Sequence, residues 1–260
     1  MRTTGAVLAV VVGGLMAGGC IQAQRTIKVN ADGSGSVVDT AKLIGMAAAM
    51  KDMGNESNAQ AKVNKEAAAK KKAAAQGLTF VKSETVDGVE TTTYTFKDIS
   101  QVKISTSPAF PNEKDDEKDA KKEDPLTFRM AKSGGKSTLT VVVPKDKPAE
   151  KKEGEKTEKK KSSPEEEKQA MAMMKGMMAG LRIATVVEVN GPISKTTSPH
   201  APEGSKVTLM EIDFDQLGED GFKKLSELED QAGPPSPEQL KGLKGVKFTE
   251  GEVVIEFSGK

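Results

Sequence analysis

The sequence contains a single cysteine, Cys20, whose position favours covalent chemistry with lipid. It directly follows a run of apolar and small residues at positions 5–19, which comes after the positive charge of Arg2. A positive start, an apolar stretch and small residues at the cleavage point are the order of a secretory signal. Small side chains before a cysteine suit a lipoprotein signal peptidase, because the thioether-linked diacylglycerol and the scissile bond must fit one site.

Cys20 is therefore predicted to be the lipidated first residue of the mature chain, after a lipoprotein signal peptide at residues 1–19 and before a tether at residues 20–24. Ala17 stands where leucine is usual, so the alternatives are an ordinary signal peptide or an uncleaved short anchor. The apolar run is shorter than the roughly 20 residues of a spanning helix. We expect a covalent lipid such as palmitate, no other cofactor, and a folded part outside the cytoplasm in a bacterial cell envelope.

A second group of side chains that could bind a ligand is a cluster of methionines in a segment with a helical pattern. Its members are Met171, Met173, Met174, Met177 and Met178. Thioethers are soft ligands suited to copper(I), so metal binding is one interpretation. Three of the five recur with Leu181 at helical spacing, which favours packing against a core. A third interpretation leaves the stripe exposed as an apolar contact for a lipid or a partner protein.

Conventional catalytic arrangements are missing from the sequence. The one histidine, His200, lies between two prolines in a segment typical of a surface loop, and a Ser-His-Asp arrangement would have to use it. The sequence has no Gly-x-Ser-x-Gly, no His-Glu-x-x-His, no Cys-His zinc pattern and no phosphate-binding glycine-rich loop. We therefore predict no catalytic residues and no enzyme activity, with a hydrolase that uses carboxylates as an alternative.

Acidic residues are grouped at Glu211, Asp213 and Asp215, and again at Glu219 and Asp220. We interpret these groups as a strand end followed by a helix start, where negative charge is favourable. The segment 30–35 imitates the start of a calcium loop, but its twelfth position holds alanine in place of a bidentate glutamate. That segment is therefore predicted to be a hairpin turn, and no metal site is predicted.

Composition excludes several partners. The 260 residues are 36% hydrophobic and 30% charged, with a formal net charge of +1, so there is no basic field for nucleic acid. Aromatic residues make up 3% of the chain and tryptophan is absent. Surfaces that stack bases need aromatic side chains beside cations, so nucleic-acid binding is not expected.

Turn residues between alternating segments predict three hairpins, at residues 30–35, at Asp87-Gly88 and at Ser133-Gly134-Gly135. A strand at 183–189 is expected to turn back at Asn190-Gly191, and later strands are expected at 207–212, 246–248 and 253–257. Helical patterns begin at Ala41 and continue over 58–76, 163–180, 214–228 and 236–243. Two charged stretches, at 112–124 and 144–163, hold too little apolar surface to order themselves and are predicted to be mobile.

These elements predict one α+β domain over residues 25–258. Hairpins dominate and no regular βαβ alternation occurs, so we expect a mostly antiparallel sheet with long helices segregated to one face and mobile charged insertions. Each half alone has few core residues, which favours one domain over two.

Three features of the chain form one plan: the cysteine, the turn from Val29 to Ser36, and the strand pair from Leu181 through Gly191 to residues 207–209. This plan resembles that of the LppM-like bacterial lipoproteins. The resemblance covers the two ends of the chain better than the middle, which carries long charged insertions. The resemblance implies an α+β envelope domain for which lipid or envelope binding is suspected, and it supplies no catalytic residues.

Three functional hypotheses follow. The leading one is a non-enzymatic lipoprotein that is attached to a membrane by its lipid and binds an envelope lipid or protein. The second is a copper(I)-binding envelope protein that uses the methionine cluster. The third is a hydrolase with a carboxylate site near Glu211.

Overall fold

The computed structural model describes residues 20–44, 59–108, 124–144, 165, 169, 172–173, 175–176, 178–200, 202–229 and 237–259. The strands are β1 (Cys20–Val29), β2 (Gly35–Ile44), β3 (Thr79–Val86), β4 (Val89–Phe96), β5 (Thr127–Ser133), β6 (Lys136–Val143), β7 (Arg182–Val189), β8 (Ile193–Thr196), β9 (Lys206–Asp213), β10 (Val246–Phe248) and β11 (Gly251–Ser258). Three helices with described bounds are α1 (Ala59–Ala75), α2 (Gly218–Glu229) and α3 (Pro237–Leu240), and single 3-10 turns lie at Ile99–Gln101 and Phe214–Gln216.

The strands form two sheets that pack face to face. The larger has the order β10-β9-β7-β1-β2-β4-β3, and the smaller has the order β5-β6-β11-β8. All neighbours are antiparallel except β1 and β7, which run parallel from Gln22–Arg182 to Val29–Val189. The α+β description holds in outline, since strands dominate and the helices lie beside the sheets.

The main core lies between the two sheets because each strand alternates apolar and polar residues. Ile27 and Val29 of the larger sheet face Leu139 of β6 and Ile255 of β11, and all four are almost completely buried. We call this side of the seven-stranded sheet the inner face and the opposite side the outer face. A smaller core near β10 joins Phe214, Leu217 and Phe222 to Leu240.

The expected layer of long helices is not supported. The second sheet, and not a set of helices, covers the inner face. Helix α1 contacts the sheet beside β3, where Ala73 near its C-terminal end is buried, and α3 is a single turn of four residues. Sequence periodicity missed the second sheet because β6 and β11, its central pair, are more than a hundred residues apart along the chain.

The three predicted hairpins are confirmed. Asp87 and Gly88 both adopt positive φ, 51° and 75°, as a two-residue type I′ turn requires, and they join β3 to β4. The turns at residues 30–34 and at Gly134-Gly135 join β1 to β2 and β5 to β6. In each case the two alternating strands are consecutive in the sequence and are joined directly by the turn, so local sequence decided the pairing.

Two local predictions are wrong. A helix was expected to begin at Ala41, but β2 continues to Ile44 because its whole length pairs with β1. A hairpin was expected at Asn190-Gly191, but β7 and β8 belong to different sheets, so this segment is a crossing between them. Gly191 has φ of 152°, and a Cβ there would lie 1.8 Å from the carbonyl oxygen of Ser258, so only glycine fits the crossing.

One further predicted element differs from the structure, and the others agree with it or fall outside the described residues. Residues 20–24, expected to be a tether, form the first half of β1. The described residues between 165 and 178 are helical, as the helix predicted for 163–180 requires. The signal peptide at 1–19 lies outside the described residues, as do the charged stretches apart from Asp124 and Pro144.

Candidate functional site

A shallow depression of about 180 Å³ lies on the outer face of the larger sheet, at the end where β1 begins. Its rim includes Gln22 and Gln24 of β1, Lys42 of β2, and Arg182 of β7. We call it the basic depression. It is open and shallow, so it can hold a polar group at the surface but cannot enclose a large substrate.

Strand pairing explains why two cations meet here. β1 lies between β2 and β7, and Gln22 pairs with Lys42 on one side and with Arg182 on the other. Directly paired residues present their side chains on the same face of a sheet. The long side chains of Lys42 and Arg182 therefore flank the amide of Gln22 at one level of the outer face.

Arg182 also takes part in a charged cluster with β9 and β10. Its Nε donates to Oε1 of Glu211 at 2.8 Å, its Nη2 donates to the same oxygen, and Lys247 Nζ lies 2.8 Å from Oε2. Burial by itself would raise the pKa of Glu211. The hydrogen bonds and positive charges of Lys247 and Arg182 outweigh burial and hold that pKa below its ordinary value. Glu211 is therefore an ionised, structural carboxylate.

The balance of charge over the basic depression and the adjoining charged cluster is positive. Lys42, Arg182 and Lys247 are opposed by Glu211, while Asp213 directs its carboxylate to the following 3-10 turn, where it accepts from Asp215 N at 3.1 Å. Lys42 is exposed and forms no ion pair with any residue that the structure describes. An anionic group could therefore be held between Lys42 and Arg182, with the Gln22 amide as a further hydrogen-bond partner.

Cys20 is the first residue of β1, two positions before Gln22. Because a strand rises by about 3.3 Å per residue, its backbone lies roughly 7 Å from that of Gln22. The basic depression is thus at the end of the sheet where a lipid on Cys20 would be attached. Lipidation of Cys20 stays a prediction.

The inner face at the same end carries a buried clamp that the sequence analysis did not find. Arg25 donates through Nε and Nη2 to the two carboxylate oxygens of Asp39, each at 2.7 Å, and through Nη1 to the carbonyls of Ser105 and Ser107 at 2.8 and 2.9 Å. Thr185 Oγ1 donates to the carbonyl between them, that of Thr106, at 2.5 Å. Three successive carbonyls are thereby fixed to the sheet.

Both members of the ion pair are buried, Arg25 at 5% exposure and Asp39 at 6%. A signal for this clamp was present in the sequence. Arg25 precedes Ile27 and Val29 at an inward position, and Asp39 follows Val37 at another, so both interrupt an apolar series with a charge. We interpret the clamp as structural, because its donors and acceptors satisfy one another and the segment at 105–107 covers it.

The methionine cluster is described only in part. Met173 is exposed, at 46%, whereas Met178 is half-buried and packs against the smaller core near Phe214. Met171, Met174 and Met177 are outside the described side chains. Packing is confirmed for Met178, and copper(I) binding by the cluster stays a prediction.

The remaining residues singled out in the sequence have structural settings. His200 Nε2 lies 3.4 Å from the carbonyl of Phe248, in a loop. Asp213 caps the 3-10 turn, and Asp215 Oδ1 accepts from Gly180 N at 2.8 Å, which confirms a strand end followed by a helical turn. Glu219 and Asp220 lie in the first turn of α2.

The calcium-like segment is a closed turn. Asp32 Oδ1 accepts from the hydroxyl and the backbone N–H of Ser34 at 2.6 and 2.9 Å. These hydrogen bonds hold the pKa of Asp32 below its ordinary value. Within the described part of the chain, no three His, Cys, Asp or Glu side chains converge as a metal site would require. No helix among the described residues has the length and apolar character needed to cross a membrane.

No protein-family model and no curated protein matches this sequence. Among solved structures, the chain is similar to the folded domain of the Mycobacterium tuberculosis protein LppM, determined by NMR. The identity is 9% and the TM-score is 0.32, over 100% of this chain and 96% of that chain. This is a weak structural resemblance, and at that TM-score it carries no argument about the site or the function.

Proposed function

We propose that the protein is a non-enzymatic lipoprotein of the cell envelope, attached to a membrane through Cys20, which binds anionic lipid headgroups at the basic depression. The observation that carries the proposal is the placement of Lys42 and Arg182 on either side of Gln22, two residues from Cys20. A lipid on Cys20 would hold this end of the sheet against the headgroups.

The basic depression would add a preference for anionic membranes to the attachment by lipid. A diacylglycerol on Cys20 carries two acyl chains, which by themselves would attach the protein stably to a membrane. Each lysine or arginine near an anionic surface contributes about 1 kcal/mol. Lys42 and Arg182 together would therefore strengthen binding to an anionic membrane by roughly tenfold to thirtyfold.

The test compares the full chain with a variant that carries Lys42→Gln and Arg182→Gln. We expect the variant to bind vesicles of phosphatidylglycerol roughly tenfold less strongly, and vesicles of phosphatidylcholine equally well, because the lost contribution is electrostatic. The matched control carries Lys136→Gln and Lys195→Gln, two exposed lysines of the smaller sheet. Co-sedimentation at several salt concentrations is the measurement.

Two outcomes would overturn the proposal separately. Equal loss of binding in the variant and the control would show that total charge, and not the basic depression, is responsible. A mature N-terminus other than acylated Cys20, determined by mass spectrometry, would remove the membrane attachment itself.

A further inference from the structure

The strand β3 forms an open edge of the seven-stranded sheet. It follows β4 as the last strand in the sheet order, and its residues from Val81 to Val86 are exposed. Val81 and Val86 are 51% and 61% exposed, which is high for valine. An edge strand of this kind presents a row of backbone donors and acceptors that another strand can pair with.

The turn at the end of β3 decides which backbone groups face outward. Val86 and Val89 close a two-residue type I′ turn, so they form a hydrogen-bonded pair. Hydrogen bonding alternates along an antiparallel strand, so Val86, Glu84 and Lys82 direct their backbone groups to β4. The backbone groups of Thr85 and Ser83 therefore point away from β4, towards the open edge, and those of Val81 follow at a β-bulge.

The charges of β3 are self-complementary about Ser83. Lys82 and Glu84 lie on the outer face, where Lys82 Nζ is 2.7 Å from Glu84 Oε1. If a second β3 pairs antiparallel with Ser83 opposite Ser83, Lys82 lies opposite Glu84 of the other copy, and Glu84 lies opposite its Lys82. A shift of one or two residues along the strand would lose this match.

We propose that two copies of this chain pair through β3, antiparallel, with Ser83 on the two-fold axis. The outward backbone groups of Ser83 allow this register, and the charges of Lys82 and Glu84 select it among the registers that the backbone allows. A charged edge strand usually prevents association. Here the charges of Lys82 and Glu84 destabilise pairing in other registers and stabilise pairing with an identical strand in one register. Opposite charges directly across a strand pair stabilise it, whereas like charges destabilise it.

Among the elements that the structure describes, those next to β3 leave room for the partner. Helix α1 approaches β3 near its beginning, where Lys70 Nζ lies 5.9 Å from the ring centre of Phe80. From Lys82 to the turn at Asp87-Gly88, both faces of β3 are exposed. The two-fold axis would be perpendicular to the sheet, so both copies would present their outer faces on the same side. The dimer does not depend on the proposed headgroup contact.

The test uses charge reversals that leave the fold intact, because both side chains are exposed. Lys82→Glu alone and Glu84→Lys alone each place like charges opposite one another, and we expect both to be monomeric where the full-length protein is dimeric. A mixture of the two single variants should dimerise again, because one chain is acidic at both positions and the other is basic at both. Analytical ultracentrifugation of the detergent-solubilised chains measures each state.

A second measurement reports the register. In Ser83→Cys the new thiols would face each other across the axis, so oxidation in membranes should give a covalent dimer, while the control Val86→Cys should not. The proposal is overturned if the full-length protein is monomeric and Ser83→Cys does not cross-link. Dimers that survive both single charge reversals would equally overturn it, because another surface would then be responsible.

Discussion

The two faces of the seven-stranded sheet are built from the same strands and have opposite chemistry. On the inner face, Ile27 and Val29 are buried beneath the smaller sheet, whereas Thr26 and Lys28, which alternate with them along β1, lie on the outer face. No second layer of strands covers the outer face in the described part of the chain. The alternation of apolar and polar residues along each strand therefore does two things. It buries one face, which stabilises the fold, and it leaves polar side chains on the other face, where they can bind a partner.

The largest expected effect on stability is at the buried ion pair of Arg25 and Asp39 on the inner face. Arg25→Ala should lower the free energy of unfolding by about 3–5 kcal/mol, because it leaves Asp39 as an uncompensated buried charge. Arg182→Ala, at the same end of the outer face, is the matched control and should lower it by at most about 1 kcal/mol. Urea unfolding of the full chain measures both.

Equal effects of the two arginine variants would contradict the division between the faces. A double variant, Arg25→Met with Asp39→Leu, separates charge from packing. It should recover much of the lost stability, since removal of both partners of a buried pair leaves no unpaired charge.

A smaller effect tests the apolar part of the same comparison. Ile27→Val should lower the free energy of unfolding by about 0.5–1.5 kcal/mol, because the deleted methylene leaves space in a packed core. Thr26→Ser removes a methyl group from the adjacent outer-face residue and should change the stability by less than about 0.5 kcal/mol. Thermal unfolding of the two variants makes the comparison, and a larger loss in Thr26→Ser would reverse our assignment of the faces.

The smallest effect concerns pH. Because the folded pKa of Glu211 is depressed, its ion pairs contribute stability above the ordinary value of 4.5, and this contribution is lost as the pH falls through the folded pKa. Glu211→Gln should therefore lower stability near neutral pH, by on the order of 1 kcal/mol, and should flatten the decline below pH 4.5. The exposed loop residue Glu203 supplies the control, Glu203→Gln. An unchanged acid slope in Glu211→Gln would contradict the role of this cluster.

Turns, which depend on neighbouring residues, could be predicted from the sequence. Features that depend on pairing between distant strands could not. The turn at Asp87-Gly88 was predictable because its φ values need such residues beside alternating strands. The continuation of β2 beyond Ala41 was not, because the ladder with β1 overrides a helical spacing of Leu43 with later methionines. Cys20 could be singled out from the sequence, but the convergence of Lys42 and Arg182 depends on the parallel pairing of β1 with a strand more than 150 residues away.

The central position of β1 has a mechanical consequence. β1 is paired along its ten residues with β2 and from Gln22 to Val29 with β7. A pull on Cys20 along the strand would load both ladders in shear, so many backbone hydrogen bonds would have to yield together. An edge strand pulled from its end can be peeled away one pair at a time. In a protein attached at Cys20, a pulling force would thus act on β1, a central strand, which is harder to extract from the sheet than an edge strand.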